Sequence, residues 1–204
     1  MFTRDGKCEE DIKRRVTAGN RVNGALHALM LSQAVSEKAR LTVHNGVLVP
    51  TLTNGSECSV WQAKHESKVN AVEMRSLRIV CGVTITDRMK NSVIREKCKL
   101  KDDVVTKVER SILRWFGHIA RTDESRLTKR VYEANVSGRF RIGRPKRSYH
   151  NQINGLFKKG KIRSTRNRRE CMTRCMTVDE AKDVCQDRSL WKAKVSAYPH
   201  GIQA

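Results

Sequence analysis

The chain has 204 residues, which is enough for one or two small domains with a buried core. It carries 42 lysine and arginine residues against 21 acidic residues, and the net charge of +21 favours nucleic acid as a partner over cationic surfaces. The longest apolar stretch, residues 41–52, is interrupted by His44, Asn45 and Pro50, which excludes a membrane-spanning helix there.

Periodic apolar residues predict two helices in the first part of the chain. The first covers residues 9–30 and opens on the acidic run Glu9–Asp11, which suits the positive end of a helix. The second begins after Ser36 and should kink or end at Pro50, because proline lacks a backbone donor. The pair Asn54-Gly55 then predicts a turn.

The strongest helical pattern lies in the middle of the chain. A third helix is predicted over residues 65–81, with Gly82 as its left-handed cap. The next helix carries a single apolar stripe with charged residues off it, so we expect it to lie in the core. The stripe consists of Val104, Val108, Ile112, Trp115, Phe116 and Ile119.

Three further helices are predicted towards the end of the chain. One is based on the apolar residues Leu127, Val131 and Tyr132, and another covers residues 149–157. The last begins at a capping box, formed by Thr177 with Glu180 three residues later. No segment shows comparable strand periodicity, so the sequence predicts an all-α fold of about six or seven helices.

Charge divides the chain more sharply than hydrophobicity does. Residues 138–169 hold 12 basic and no acidic residues, which leaves 30 basic and 21 acidic residues for the rest of the chain. We therefore predict a helical region over residues 1–137, a basic, partly irregular tract with one short helix over 138–169, and a C-terminal helix within 170–204. The tract should bind nucleic acid by neutralising phosphates. Its basic residues are Arg139, Arg141, Arg144, Lys146, Arg147, Lys158, Lys159, Lys161, Arg163, Arg166, Arg168 and Arg169.

The run Gly143-Arg144-Pro145 within this tract allows two modes of binding. Proline favours an extended backbone in the residue before it, and glycine has no side chain to clash with a groove wall. Arg144 could then enter an A·T-rich minor groove, as in the AT-hook peptides that the run resembles. Alternatively, the tract is a solvated basic loop that contacts phosphates without reading sequence.

Two motifs invite a catalytic interpretation, and neither is favoured. Asp102-Asp103 precedes an amphipathic helix, so we expect helix capping there rather than metal-dependent nucleotidyl transfer. His118 stands near Arg121 at the end of the apolar stripe and could be a base or a phosphate ligand, but no nucleophile accompanies it in the sequence. We expect no catalytic residue in the chain.

The seven cysteines are scattered and follow no secretion signal, which indicates reduced thiols inside a cell. Cys171, Cys175, Cys185 and His200 are the best zinc candidates, but their spacings fit no standard site. Cys185 also falls on the apolar stripe of the last predicted helix, which favours a buried thiol. We therefore expect no metal and no cofactor.

Six segments resemble, in order, the C-terminal part of the endonuclease and reverse transcriptase polyprotein of retrotransposons that lack long terminal repeats. Each segment alone is unspecific, whereas their order over nearly the whole chain is fairly specific. The segments are Lys13–Val16, Val49–Glu57, Glu73–Arg78, Arg114–Arg121, Gly143–Arg147 and Asp187–Trp191.

The resemblance implies a helical, thumb-like bundle and a basic C-terminal segment that hold the RNA template and the target DNA. The polymerase palm and the endonuclease of that family lie upstream of any matching residue, so no catalytic residue is carried over. We therefore expect a nucleic-acid-binding fragment that is not an enzyme on its own. Its expected partners are RNA, DNA and the rest of the polyprotein, in the nucleus or on nucleic acid elsewhere in the cell. An accessory subunit supporting polymerase or nuclease activity, and a degenerate reading frame without function, stay open as alternatives.

Overall fold

The computed structural model describes residues 9–134, 148–163 and 175–199. Over these ranges the regular secondary structure is helical, apart from one isolated bridge between Arg163 and Cys175, which confirms the all-α prediction. The described residues form two compact units, of which the first extends to Val108 and the second comprises Glu109 to Pro199. The boundaries predicted near residues 137 and 169 lie outside the described ranges and stay predictions.

The first unit contains seven helical segments and the first residues of an eighth within the described part of the chain. None of the described helices is both long and apolar enough to cross a membrane. The segments are α1 (Glu9–Ala25), α2 (His27–Leu31), α3 (Glu37–Val43), a π-helical turn (His44–Leu48), α4 (Val49–Thr53), α5 (Ala63–Val80), α6 (Asn91–Lys97) and the start of α7 (Val104–Arg121).

Two of the predicted helices differ from the prediction: one is interrupted, and the other continues past its proline. The helix predicted over residues 9–30 is interrupted at Leu26, although the Leu26 amide still donates to the Val22 carbonyl at 2.9 Å. Pro50 does not end its helix, because helical structure continues to Thr53. The π-helical turn directly before α4 is the kind of local irregularity that accompanies a missing proline hydrogen bond.

Gly19 allows α1 to pack closely on α4 and α5. A Cβ atom built on Gly19 would lie 2.8 Å from the Leu52 side chain and 2.9 Å from that of Val72. One turn later, the buried Asn23 amide donates to the Val72 carbonyl at 3.1 Å. A glycine and a satisfied polar residue therefore fix α1 on α5.

His44 is a fully buried titratable residue of the first unit. Its Nδ1 lies 2.9 Å from the Ser76 hydroxyl, and its Nε2 has no hydrogen-bond partner among the described residues. Burial, and to a smaller degree the charge of Lys107, lowers the pKa of His44 to about 4. The imidazole is therefore neutral at physiological pH.

α5 and α6 end in the same way. Gly82 after α5 and Lys99 after α6 adopt left-handed conformations, with φ of 63° and 52°. This confirms Gly82 as a cap, whereas no sequence pattern predicted α6. The residue before each cap is a cysteine, and the Sγ atoms of Cys81 and Cys98 lie 3.1 Å apart.

The second unit contains the rest of α7 and four further helices within the described residues. The predicted terminal helix is in fact two helices, because Asp187 interrupts it and caps the second with its carboxylate. That carboxylate accepts from the amides of Ser189 and Leu190 at 2.8 and 3.1 Å. The described chain therefore has more and shorter helices than the six or seven expected. The four are α8 (Leu127–Glu133), α9 (Tyr149–Lys159), α10 (Val178–Gln186) and α11 (Arg188–Ser196).

Aromatic rings form the core of the second unit around α7. The ring centroid of Phe116 lies 5.7 Å from that of Trp191, 6.2 Å from Phe157 and 6.4 Å from Tyr132. The predicted stripe of α7 is buried as expected, except that Trp115 stays partly exposed. The capping box of Thr177 at the start of α10 is also confirmed.

α8 places only one of its three predicted apolar residues in the core, namely Tyr132, whose ring lies near that of Phe116. Leu127 and Val131 are 72% and 67% exposed, whereas Lys129 is buried. The Lys129 ammonium donates to the carbonyls of Ile119 and Ala120 at 3.5 and 3.2 Å, near the C-terminal end of α7. A cation at that end satisfies free carbonyls and favours the helix dipole, which explains why the lysine is turned inward.

Candidate nucleic-acid interface

The predicted basic tract is only partly described. The residues outside the described ranges are Arg139, Arg141, Arg144, Lys146, Arg147, Arg166, Arg168 and Arg169, and the Gly143-Arg144-Pro145 run lies there as well. The structure does describe the residues at the end of α9 and in the turn after it. These are Lys158, Lys159, Lys161 and Arg163, and all four are exposed.

Lys159 is engaged by a partner within the protein. Its ammonium lies 2.5 Å from a carboxylate oxygen of Glu109, whose side chain is only 7% exposed. The Tyr198 hydroxyl donates to the other oxygen at 3.1 Å. Lys159 therefore neutralises a buried charge and is less available to a phosphate than its neighbour Lys158.

The turn after α9 depends on two adjacent residues in different ways. Lys161 takes the left-handed conformation, with φ of 47°, and Ile162 then donates to the Phe157 carbonyl at 3.0 Å. Gly160 has an ordinary φ of −78°. Its role is to leave space, because a Cβ atom there would lie 2.5 Å from the Tyr198 ring.

A basic groove that was not predicted runs between α7 and α11 within the second unit. Its volume is about 480 Å³. Four arginine and lysine side chains and one histidine line it, and none of its described lining residues is acidic. The lining residues are Arg114, His118, Arg121, Arg188, Trp191, Lys192, Val195 and Ser196.

The close approach of α11 to α7 depends on Gly117. A Cβ atom built there would lie 2.2 Å from Nε1 of Trp191, so the indole rests on bare helix backbone. The indole N–H donates to the Leu113 carbonyl at 3.0 Å, and Trp191 is 3% exposed. Trp191 therefore anchors α11 on α7 and forms part of the groove wall.

Two hydrogen bonds tie the end of α7 to the end of α10. The Arg121 guanidinium donates to the Cys185 carbonyl at 2.8 Å, and the Gln186 amide donates to the Ala120 carbonyl at 3.4 Å. Asp187 follows at once and caps α11, which places Arg188 at the first position of that helix. The basic wall contributed by α11 is thus fixed at its start.

The cations of the groove can act on an anion from outside the protein. No carboxylate among the described residues forms an ion pair with Arg114, Arg188 or Lys192. Guanidinium groups present several donors in one plane, which match two phosphate oxygens at once. Arg114 and Arg188, on facing helices, therefore offer such donors to phosphate oxygens in the groove.

The groove joins two of the segments that carried the family resemblance. Arg114–Arg121 forms one wall and Asp187–Trp191 begins the other. The available signal was the spacing of Arg114, His118 and Arg121, which places these three side chains on one helix face. That face could not be paired with α11 from sequence, because the contact is tertiary.

Of the described catalytic and metal candidates, Asp103 and Cys185 have structural surroundings, whereas His118 lines the groove. Asp103 caps α7 by accepting from the Thr106 amide at 2.7 Å, which confirms helix capping. Cys185 is buried, as expected, and burial raises the pKa of its thiol to about 12. Cys171 and His200 lie outside the described residues. Within the described ranges, no three His, Cys, Asp or Glu side chains are arranged to hold a metal ion.

The chain is similar to a protein of Caenorhabditis elegans that is described as transposon-derived. The two are 25% identical over 124 residues, which is 59% of this chain. The matched region spans 44% of the length of that protein. No protein-family model matches the chain, and no solved structure matches it significantly. The similarity indicates a transposon-related origin.

Proposed function

We propose that the chain binds the sugar–phosphate backbone of RNA or DNA through the groove between α7 and α11, together with the basic tract of residues 138–169. The observation that carries this proposal is the convergence of basic side chains from two helices without an acidic residue among the described lining residues. Phosphate contacts supply most of the nonspecific affinity of proteins for nucleic acid. The net charge of +21 adds long-range attraction to the same ligand.

We infer further that this activity serves a reverse transcriptase of a retrotransposon without long terminal repeats. The six ordered segments and the similarity to a transposon-derived protein support this inference. In such a protein, the chain would position template or target strands for a palm that is encoded elsewhere. It would act without catalytic residues of its own, alongside the rest of the polyprotein.

The groove is tested by the double variant Arg114→Gln/Arg188→Gln. Each lost phosphate contact should reduce the slope of log affinity against log salt by about 0.9 on duplex DNA. The double variant should therefore lose about 2 from that slope and should bind more weakly at low salt. Fluorescence anisotropy with labelled RNA and duplex DNA, over a series of salt concentrations, measures both quantities.

The matched control is Arg126→Gln/Arg130→Gln. Both residues are exposed, neither lines the groove, and the net charge falls by the same amount. A larger loss in the groove variant than in the control would locate binding at the groove. Equal losses would show that the effect comes from the net charge of the whole protein and not from the groove. Absence of salt-dependent binding by the parent chain would reject the proposed function.

A further inference from the structure

Trp115 and His118 form a pair of rings on α7, and His118 lines the groove. Their centroids are 5.3 Å apart and their planes are inclined by 32°. His118 is exposed and lines the groove, and Trp115 is partly exposed. The other two tryptophans, Trp61 and Trp191, are 2% and 3% exposed. Trp115 is therefore the tryptophan with ring surface left for a ligand.

The ring pair stands next to a cation that faces the groove. Arg114 immediately precedes Trp115 in α7, and it lies one helical turn before His118 on the same face. A strand whose phosphates contact Arg114 would bring its bases within reach of the two rings. Proteins that bind single strands combine a basic groove with aromatic faces on which bases stack.

We propose that Trp115 and His118 stack on an unpaired base, so that the groove selects single-stranded nucleic acid over a duplex. This inference rests on the proposed function, because phosphate contacts must first hold the strand in the groove. A duplex keeps its bases stacked on one another and presents its backbone to a groove of this kind. The rings therefore add affinity for a single strand and none for a duplex.

Tryptophan fluorescence of the whole chain tests the ring pair directly. A single-stranded oligothymidylate should quench the emission, because Trp61 and Trp191 are buried and Trp115 is the ring that a base can reach. Trp115→Leu should abolish the quenching and weaken binding of this strand about 5- to 150-fold, the range that corresponds to losing one stacked base. Trp115→Phe should retain most of the affinity, since a flat ring remains.

The controls separate stacking from charge and from unfolding. A duplex of equal length should bind the parent and Trp115→Leu equally well, and Leu127→Ala should alter neither ligand, since it removes an exposed apolar side chain that does not line the groove. Equal losses for strand and duplex in Trp115→Leu would overturn the stacking proposal. So would salt-dependent binding of the strand without quenching, although the proposed function would then stand. Failure of both ligands to bind the parent would remove both proposals.

Discussion

A single glycine, Gly117, determines how closely the two walls of the groove approach. Gly117→Ala places a methyl group where the Trp191 indole now lies, with only 2.2 Å to its nitrogen. The indole must move, which strains its packing and its hydrogen bond to Leu113. We expect the free energy of unfolding to fall by about 1 to 3 kcal/mol, as measured by urea denaturation.

Gly24→Ala is the matched control for that substitution. Gly24 lies in α1, and a Cβ atom there would have nothing within 4 Å. Alanine should leave stability unchanged or raise it by up to about 1 kcal/mol, because it favours helix more than glycine does. If both substitutions shifted stability in the same direction and by the same amount, helix propensity and not Trp191 would be the cause.

His44 should make the stability of the chain depend on pH. Its pKa is about 4 in the folded protein against 6.5 as the ordinary value, so the unfolded chain takes up a proton at mildly acidic pH that the folded chain does not. The free energy of unfolding should therefore fall as the pH drops from about 6.5 to about 4, and by about 2 kcal/mol between pH ~7 and pH ~4.5.

The non-titrating variant His44→Asn isolates this contribution, since an amide can still hydrogen-bond the Ser76 hydroxyl. Urea denaturation of the parent and the variant at both pH values gives the difference. The variant should lose about 2 kcal/mol less than the parent over the interval. Identical losses would assign the acid sensitivity to other groups.

At the scale of the helices, the matching ends of α5 and α6 bring two thiols together. Cys81 and Cys98 should form a disulfide when the folded chain is treated with diamide, which accepts the two electrons and two protons released and becomes a hydrazine. Burial and the neighbouring thiol raise the pKa of Cys98 to about 12, so attack should begin from the less buried Cys81. The bond would stabilise the chain by about 3 kcal/mol, given the length of the loop that it closes.

Peptide mass spectrometry after alkylation identifies the bond, and urea denaturation measures its effect. Cys81→Ser should prevent the crosslink, whereas replacing the exposed Cys58 by serine should leave it intact. A crosslink that involves Cys58 instead would contradict the proximity of the two helix ends.

The helices that were predicted correctly carry their own signals. The apolar stripe of α7 and the capping box at Thr177 are local patterns that specify a helix without help from distant residues. α6 was missed because its seven residues show too little periodicity. The burial of Lys129 and the exposure of Leu127 in α8 were also unpredictable, since they depend on the carbonyls at the end of α7.

At the scale of the whole molecule, the composition led to the expectation of an anionic ligand but did not indicate the groove. The sequence predicted binding through the tract, whereas the groove between α7 and α11 brings further basic side chains together. The packing of α11 on α7 depends on Gly117 and Trp191. Neither residue indicates this contact when the sequence is considered alone. The sequence does not indicate buried ion pairs either. Glu73 lies in the core, and the Arg95 guanidinium is 3.1 Å from its carboxylate.

Because α7 and α11 form the two walls, the chain leaves the groove at Arg121 and returns to it at Arg188. The basic tract lies between these two positions, so it is tethered to the groove at both ends. For a nucleic acid held in the groove, the tract would be present at a high effective concentration. Binding of the tract to the same strand would then be an intramolecular step. Two modest phosphate-binding elements would then act with the avidity of a bivalent ligand, and dissociation would require both to release the strand together.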